Sequence, residues 1–254
     1  MDFGLSNKGA LVMASSKGLG KAVAAELANE GCNVVICGRN DDTLKNTSDE
    51  ITSESGRECY YVQGDITSQN DRKRILSYSK SKIKSIDVLV TNSGGPKPGS
   101  FDDHDNEDWR DAYSLLVEST VSMIRGVLPD MKEQKWGRII TITSQAVKQP
   151  VEGLILSNSV RSAILGLVKT LSIELGKHNI TVNNVLPGYT LTDRLETLIR
   201  QRGTSLENIS VNVPLKRVGL PNEFAAAVAF LASEKASYIT GVSLPIDGGW
   251  IKGI

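Results

Sequence analysis

The chain has 254 residues, enough for one α/β domain with a sizeable core. Lys plus Arg and Asp plus Glu each total 29, so the formal net charge is zero, which argues against a nucleic-acid or membrane-surface protein. No apolar run approaches the ~20 residues of a membrane helix, and residues 1–6 lack the basic start and apolar stretch of a signal peptide, so a soluble cytoplasmic protein is expected.

In chain order, Ala10-Leu11-Val12-Met13 is too short for a helix and reads as a buried strand. The turn Ala14-Ser15-Ser16-Lys17-Gly18-Leu19-Gly20 follows, then a helix from Lys21 to Glu30 closed by Gly31. Strand, glycine turn and helix together bring a helix N-terminus, with its free N–H groups and positive dipole end, against a phosphate. Gly18 and Gly20 have no Cβ, so backbone and ligand can approach closely. A second strand, Asn33–Cys37, ends at Gly38-Arg39-Asn40, and Asp41 and Asp42 can cap a polar helix through Thr52. Cys32, Cys37 and Cys59 are an odd number at no metal-like spacing; they read as small buried thiols, and no metal site is expected.

Glu58–Val62 is a third strand ending in Gly64-Asp65, and Ser68 caps a helix to about Lys82. Ile86–Thr91 is a fourth strand, ended by Asn92-Ser93-Gly94-Gly95-Pro96. A long helical pattern runs from about Asn106 to Lys132, strand five spans Gly137–Thr143, and a helix follows from about Ser157 to Gly176. Strand six is Ile180–Val185, the span Tyr189–Asn212 is polar and helical, Asn222 caps a helix to Leu231, and Ser243–Ile246 is a last short strand. Strands that are apolar throughout and alternate with helices predict a parallel sheet covered on both faces. The expected architecture is a single doubly wound α/β domain over residues 1–254, with ligands at the carboxyl ends of the strands near the switch point.

Several motifs agree in order and spacing: the Ala14-to-Gly20 turn, Asp65, Asn92-Ser93-Gly94-Gly95, Ser144, Pro187-Gly188, and Tyr238-Ile239-Thr240-Gly241 with Asp247-Gly248-Gly249. Across essentially the whole chain they resemble the short-chain dehydrogenase/reductase family, including its 3-oxoacyl-carrier-protein reductases and sugar dehydrogenases. The resemblance implies a Rossmann-type NAD(P)-binding fold and an oxidoreductase of a carbonyl or alcohol substrate. It also implies a small-molecule partner and a homo-oligomer, dimer or tetramer, built on the two long helices.

On the cofactor side, the family turn carries three glycines, and Ala14 stands at the first while Gly18 and Gly20 match the others. Ser16, Lys17 and Leu19 complete the turn. The end of strand two offers no carboxylate for a ribose 2′-OH; Arg39, beside Asn40, supplies a guanidinium fork suited to a 2′-phosphate, and Lys17 adds a second positive charge. NADP(H) is therefore the expected cofactor and NAD the poorer match. By resemblance Asp65 bonds the adenine amino group, with Ile66 beside it; as a plain residue Asp65 caps the following turn equally well. Asn92 and Gly94 match the loop beside the adenine ribose, and Pro187, Gly188 and Thr190 or Thr192 would pass the nicotinamide amide.

The family chemistry uses a serine, a tyrosine, a lysine four residues on and an asparagine in the preceding long helix. Ser144 fits the serine. Thirteen residues later, where the tyrosine belongs, stands Ser157, which with Ser159 also reads as an N-terminal residue of the following helix; the lysine position is Arg161, and the asparagine position is Leu116. A serine hydroxyl is a far weaker acid than a phenol, and an arginine does not exchange protons near neutral pH. Tyr189, Lys148 and Tyr113 are the nearest substitutes, each also readable as a packing or surface residue, and His104 and His178 stand where no family base would be. Two functions follow as expectations. One is an NADP(H)-dependent reductase with a non-standard proton donor. The other is a non-catalytic NADP(H)-binding or regulatory scaffold protein. Tyr189–Asn212, with Arg194, Glu196, Arg200 and Arg202, is the expected substrate lid.

Overall fold

The computed structural model describes residues 2–253; Met1, Ile254 and the side chain of Arg202 lie outside the described residues. Seven strands, β1 (Gly9–Val12), β2 (Asn33–Gly38), β3 (Cys59–Gln63), β4 (Val88–Thr91), β5 (Gly137–Ile142), β6 (Ile180–Pro187) and β7 (Ser243–Ile246), form one parallel sheet. Their order is β3-β2-β1-β4-β5-β6-β7, so the winding reverses between β1 and β4. Around them stand α1 (Gly18–Asn29), α2 (Asp41–Ser55), α3 (Gln69–Ile83), α4 (Asn106–Tyr113) and α5 (Ser119–Glu133). Then come α6 (Ile155–Val160), α7 (Ala163–Leu175), α8 (Asp193–Arg202), α9 (Leu206–Val211) and α10 (Pro221–Ala232). The doubly wound Rossmann-type sheet expected from the apolar strands is present.

The strand pattern explains why both faces are covered. In β1, Val12 faces one layer with Val23, Leu27, Phe224 and Val228, from α1 and α10. Its neighbour Leu11 faces the other with Ile75, Ile124, Val127 and Val168, from α3, α5 and α7. Successive side chains alternate sides, and each buried Val, Leu or Ile contributes about 1.5–3 kcal/mol of transfer free energy. In register, Leu11 pairs with Val35 of β2 and Leu89 of β4, so the central strands bury matching rows.

Four local expectations need correction. Asn40, not Asp41 or Asp42, caps α2: its extended backbone lets Oδ1 accept the Thr43 N–H at 2.8 Å. Helix α10 begins at Pro221 after Leu220, ahead of Asn222, because proline pre-sets the first helical φ. The long helix expected at 106–132 is interrupted by a π-turn over Ser114–Glu118. The helix expected at 157–176 starts earlier, at Ile155, and breaks at Arg161–Ser162, where Ser162 N bonds Ser159 O and Ile164 N bonds Arg161 O in i→i−3 steps.

Candidate active site

The carboxyl ends of β1 and β4 meet at the switch point, and Asn92 ties them together: its Nδ2 donates to Ala14 O at 3.2 Å. The glycine turn is pinned from below by Ser15, whose Oγ donates to Val12 O at 2.6 Å and accepts the Cys37 N–H at 3.2 Å. Ala14 takes φ +47° and Gly18 φ +59°. The turn therefore keeps the left-handed geometry at its first position although the residue there has a Cβ, at a cost of about 1–2 kcal/mol. Gly20 acts through packing: a Cβ there would lie 2.5 Å from Ala14 O and 2.9 Å from Asn92 Nδ2. No side chain caps α1, whose N-cap is Lys17, so its leading N–H groups remain available to an anion.

Above these strand ends opens a cleft of about 1000 Å³. Ala14, Ser16, Lys17, Gly18, Leu19, Arg39, Asp65, Ile66, Asn92 and Gly94 line one end, and Ser144, Ser157, Arg161, Pro187, Gly188 and Thr190 the other. Of the residues expected at the cofactor, Gly20 and Asn40 are outside its walls, Gly20 packing beneath the turn and Asn40 capping α2.

Arg39 is exposed, and its guanidinium makes no hydrogen bond among the described residues. Its charge reaches Asp65. Burial pushes that carboxyl up, but the Thr67 N–H and hydroxyl bonds at 2.9 and 2.8 Å, together with Arg39, bring it below its ordinary value. The turn-capping reading of Asp65 is thus realised in one of its oxygens. Lys17 also lines the cleft, and its Nζ is 2.8 Å from Asp193 at the start of α8, with both side chains about 70 % exposed. The Lys17 bond and charge hold the Asp193 carboxyl below its usual range.

At the other end, Ser144 follows β5, accepts the Ala146 N–H at 3.1 Å and lines the cleft. Ser157 is buried on α6, and its hydroxyl has no hydrogen-bond partner among the described residues. Arg161 is buried at the α6–α7 break, with Nη1 3.4 Å from Ile142 O and Nη2 3.3 Å from Gly94 O. Burial, and next the charge of Arg194, pull its guanidinium down to about 10. Leu116 sits in the π-turn and, with Asn92, Thr143 and Arg161, walls a small cavity of about 10 Å³, large enough for one water molecule.

Tyr189 lines the cleft with its ring edge-on to Trp250, centroids 5.9 Å apart, whereas Lys148, Tyr113, His104 and His178 do not line it. Two residues had no sequence signal as site groups. Gln145, the residue after Ser144, is 4 % exposed, and its Oε1 has no partner although it lies beside Gly188 in the cleft wall. Arg194, visible only as lid polarity, reaches back to donate to Pro96 O at 3.2 Å. The thiols stay out of this chemistry: burial raises Cys32, Cys37 and Cys59 to about 12. Among the described residues no His, Cys, Asp and Glu cluster could hold a metal, and no helix is long and apolar enough to cross a membrane.

A parallel sheet wound both ways, with a glycine turn at its switch point and Ser144 across the same cleft, defines a dinucleotide-binding domain of Rossmann type. A profile of the family described as enoyl-(acyl carrier protein) reductase matches residues 13–251, and the chain belongs to the short-chain dehydrogenase/reductase family. It is 35 % identical to the NADPH-dependent reductase BacG of Bacillus subtilis, covering 98 % of this chain and all of that one. The 7alpha-hydroxysteroid dehydrogenase of Escherichia coli is 33 % identical over 98 % of this chain and 96 % of its own. The L-sorbose reductase of Gluconobacter frateurii, solved with NADPH and L-sorbose, superposes with a TM-score of 0.95 at 31 % identity, covering both chains fully.

Proposed function

We propose that this protein is an NADP(H)-dependent reductase that adds hydride and a proton to a polarised double bond, with a carbonyl as the simplest acceptor. The observation that carries the reading is one continuous cleft joining the uncapped N-terminus of α1 to Ser144 and Ser157. A dinucleotide fits the residues present. The N–H groups of Gly18 and Leu19 would take the pyrophosphate, Arg39 the 2′-phosphate, and Asn92 and Gly94 the adenosine ribose. NADPH and L-sorbose are together in the Gluconobacter relative, and BacG is named as NADPH-dependent, which supports this choice of cofactor. When bound, the nicotinamide supplies hydride.

The chain's own residues then orient the acceptor. Ser144 Oγ, with its lone pair held toward Ala146 N, presents its O–H to the acceptor oxygen, and Ser157 O–H is a second donor. Arg161 stays protonated at neutral pH and stabilises negative charge developing on that oxygen without releasing a proton. The proton comes from water, for which the cavity between Leu116, Asn92 and Arg161 is the reservoir. For a ketone the balance is one hydride to carbon and one proton to oxygen, giving the alcohol.

Loss of the family tyrosine, lysine and asparagine together favours a second reading, a protein that binds NADP(H) without turnover. The experiment that separates the two is a screen of ketones, conjugated enones, 3-oxoacyl thioesters and sugars for NADPH oxidation. Turnover of any class, lost on Ser144→Ala, supports the reductase. Tight NADPH binding with no turnover until Ser157→Tyr and Arg161→Lys are introduced together supports the binding protein.

A further inference from the structure

We propose that Arg161 and Arg194 form a receptor for an anionic group, and that the substrate is an organic acid with an apolar body. The proposal rests on the reductase reading of the same cleft and names its substrate class.

The two guanidinium groups are brought together by one loop. Arg161 donates to Gly94 O, and Arg194 donates to Pro96 O, so both hang on the segment after β4. Gly95 lies between these anchors, and a Cβ there would stand 2.6 Å from Arg194 Nη2. Glycine is therefore what lets the lid arginine reach this place. Both arginines line the cleft, and neither is in an ion pair among the described residues.

The nearby carboxylates are otherwise engaged. Asp193 pairs with Lys17. Asp247 accepts the Gly249 and Ile251 N–H groups at 2.9 and 2.8 Å. Asp65 is at the far end with Thr67. Asp111, on α4, lines the cleft but is solvent-exposed and bonds neither arginine. Two positive groups, one of them buried, thus hang on the same loop with no ion-pair partner among the described residues, an arrangement that an incoming anion relieves. Guanidinium forks match a carboxylate geometrically. The wall also carries Leu115, Val151, Leu154, Leu198 and Ile199, apolar side chains that suit a hydrocarbon body.

The same pair of charges could meet the cofactor's pyrophosphate instead, so the test separates the two anions. Octanoates carrying a ketone at C2, C4 or C6 are titrated against their methyl esters into the protein saturated with NADP+, which cannot reduce them, with calorimetry as the readout. At least one acid is expected to bind about tenfold more tightly than its ester. Arg194→Met should abolish that preference while NADPH affinity changes less than about threefold, and Arg194→Lys should retain part of it. Equal binding of acid and ester in every pair overturns the proposal. So does an Arg194→Met variant that loses NADPH affinity about tenfold while keeping the acid preference, which would assign the pair to the pyrophosphate. If NADPH does not bind at all, the reductase reading fails. The acid–ester comparison, made by calorimetry on the nucleotide-free protein, then still decides the anion receptor.

Discussion

Ala14 is the residue at which the glycine turn departs from its family pattern, and its φ of +47° says that the backbone has kept the glycine conformation. An alanine there is strained, so Ala14→Gly should stabilise the protein by about 1 kcal/mol, the strain relieved exceeding the entropy added to the unfolded chain. For a chain of this length that is a rise in Tm of about 2–4 °C. A calorimetric scan showing an unchanged or lower Tm would mean that the turn is relaxed with its methyl in place. Ser144 carries a different expectation. If its hydroxyl bonds the acceptor oxygen, Ser144→Ala should lower kcat about 100-fold or more with little change in NADPH affinity, the size of losing one donor at a developing oxyanion. Steady-state kinetics on any substrate found in the screen would measure it. The substitutions at Leu116, Ser157 and Arg161 follow from counting along the chain from Ser144 and Trp109 by the spacing that the family resemblance implies. Gln145 and Arg194 escaped it because their importance lies in an unmet hydrogen bond and an unpaired charge, properties of three-dimensional surroundings.

Among the elements, the strands were legible because each is an apolar run bounded by glycine, proline or a polar turn, and most helices because a capping residue or a run of helix formers marks them. What was not legible was the irregularity inside long helical patterns. The π-turn at Ser114–Glu118 and the break at Arg161–Ser162 leave the apolar periodicity nearly intact, so composition gives no warning of them. Both irregularities carry residues that wall the small cavity beside the cleft, Leu116 and Arg161. The lid is the second element with a testable property. Its α8 is tied to the glycine turn by the exposed Lys17–Asp193 pair, and α8 is capped by Thr192, whose Oγ accepts the Leu195 N–H. Because the pair is exposed, it contributes at most about 1 kcal/mol and is screened by salt. Asp193→Asn should therefore leave Tm within about 2 °C of wild type. It should also free Lys17, so that NADPH affinity rises or stays level. A marked fall in Tm would show that α8 depends on this contact for its position.

For the whole molecule, the electrostatic balance of the cleft sets the pH behaviour. Burial, and then the neighbouring Arg194, lower the Arg161 guanidinium from its ordinary range to about 10. Folding disfavours its charged form, so this residue's destabilising effect is constant below about pH 9 and fades as pH rises through 10. Neither serine nor this arginine titrates between pH 6 and 9. A reaction run by Ser144, Ser157 and Arg161 should thus show a kcat that is flat across that window at saturating NADPH. A limb of unit slope inside it would reveal another titrating group, with Tyr189 the cleft-lining phenol to test first by Tyr189→Phe. Beneath all these expectations lies the claim that the cleft is an NADP(H) site whose selectivity resides in Arg39. The most direct measurement is a paired titration of NADPH and NADH into the wild-type protein and Arg39→Ala. NADPH should bind at least about tenfold more tightly than NADH, and Arg39→Ala should remove that preference by weakening NADPH alone, as expected for loss of a charge-assisted phosphate contact. Binding of neither nucleotide, or a preference for NADH, would contradict it.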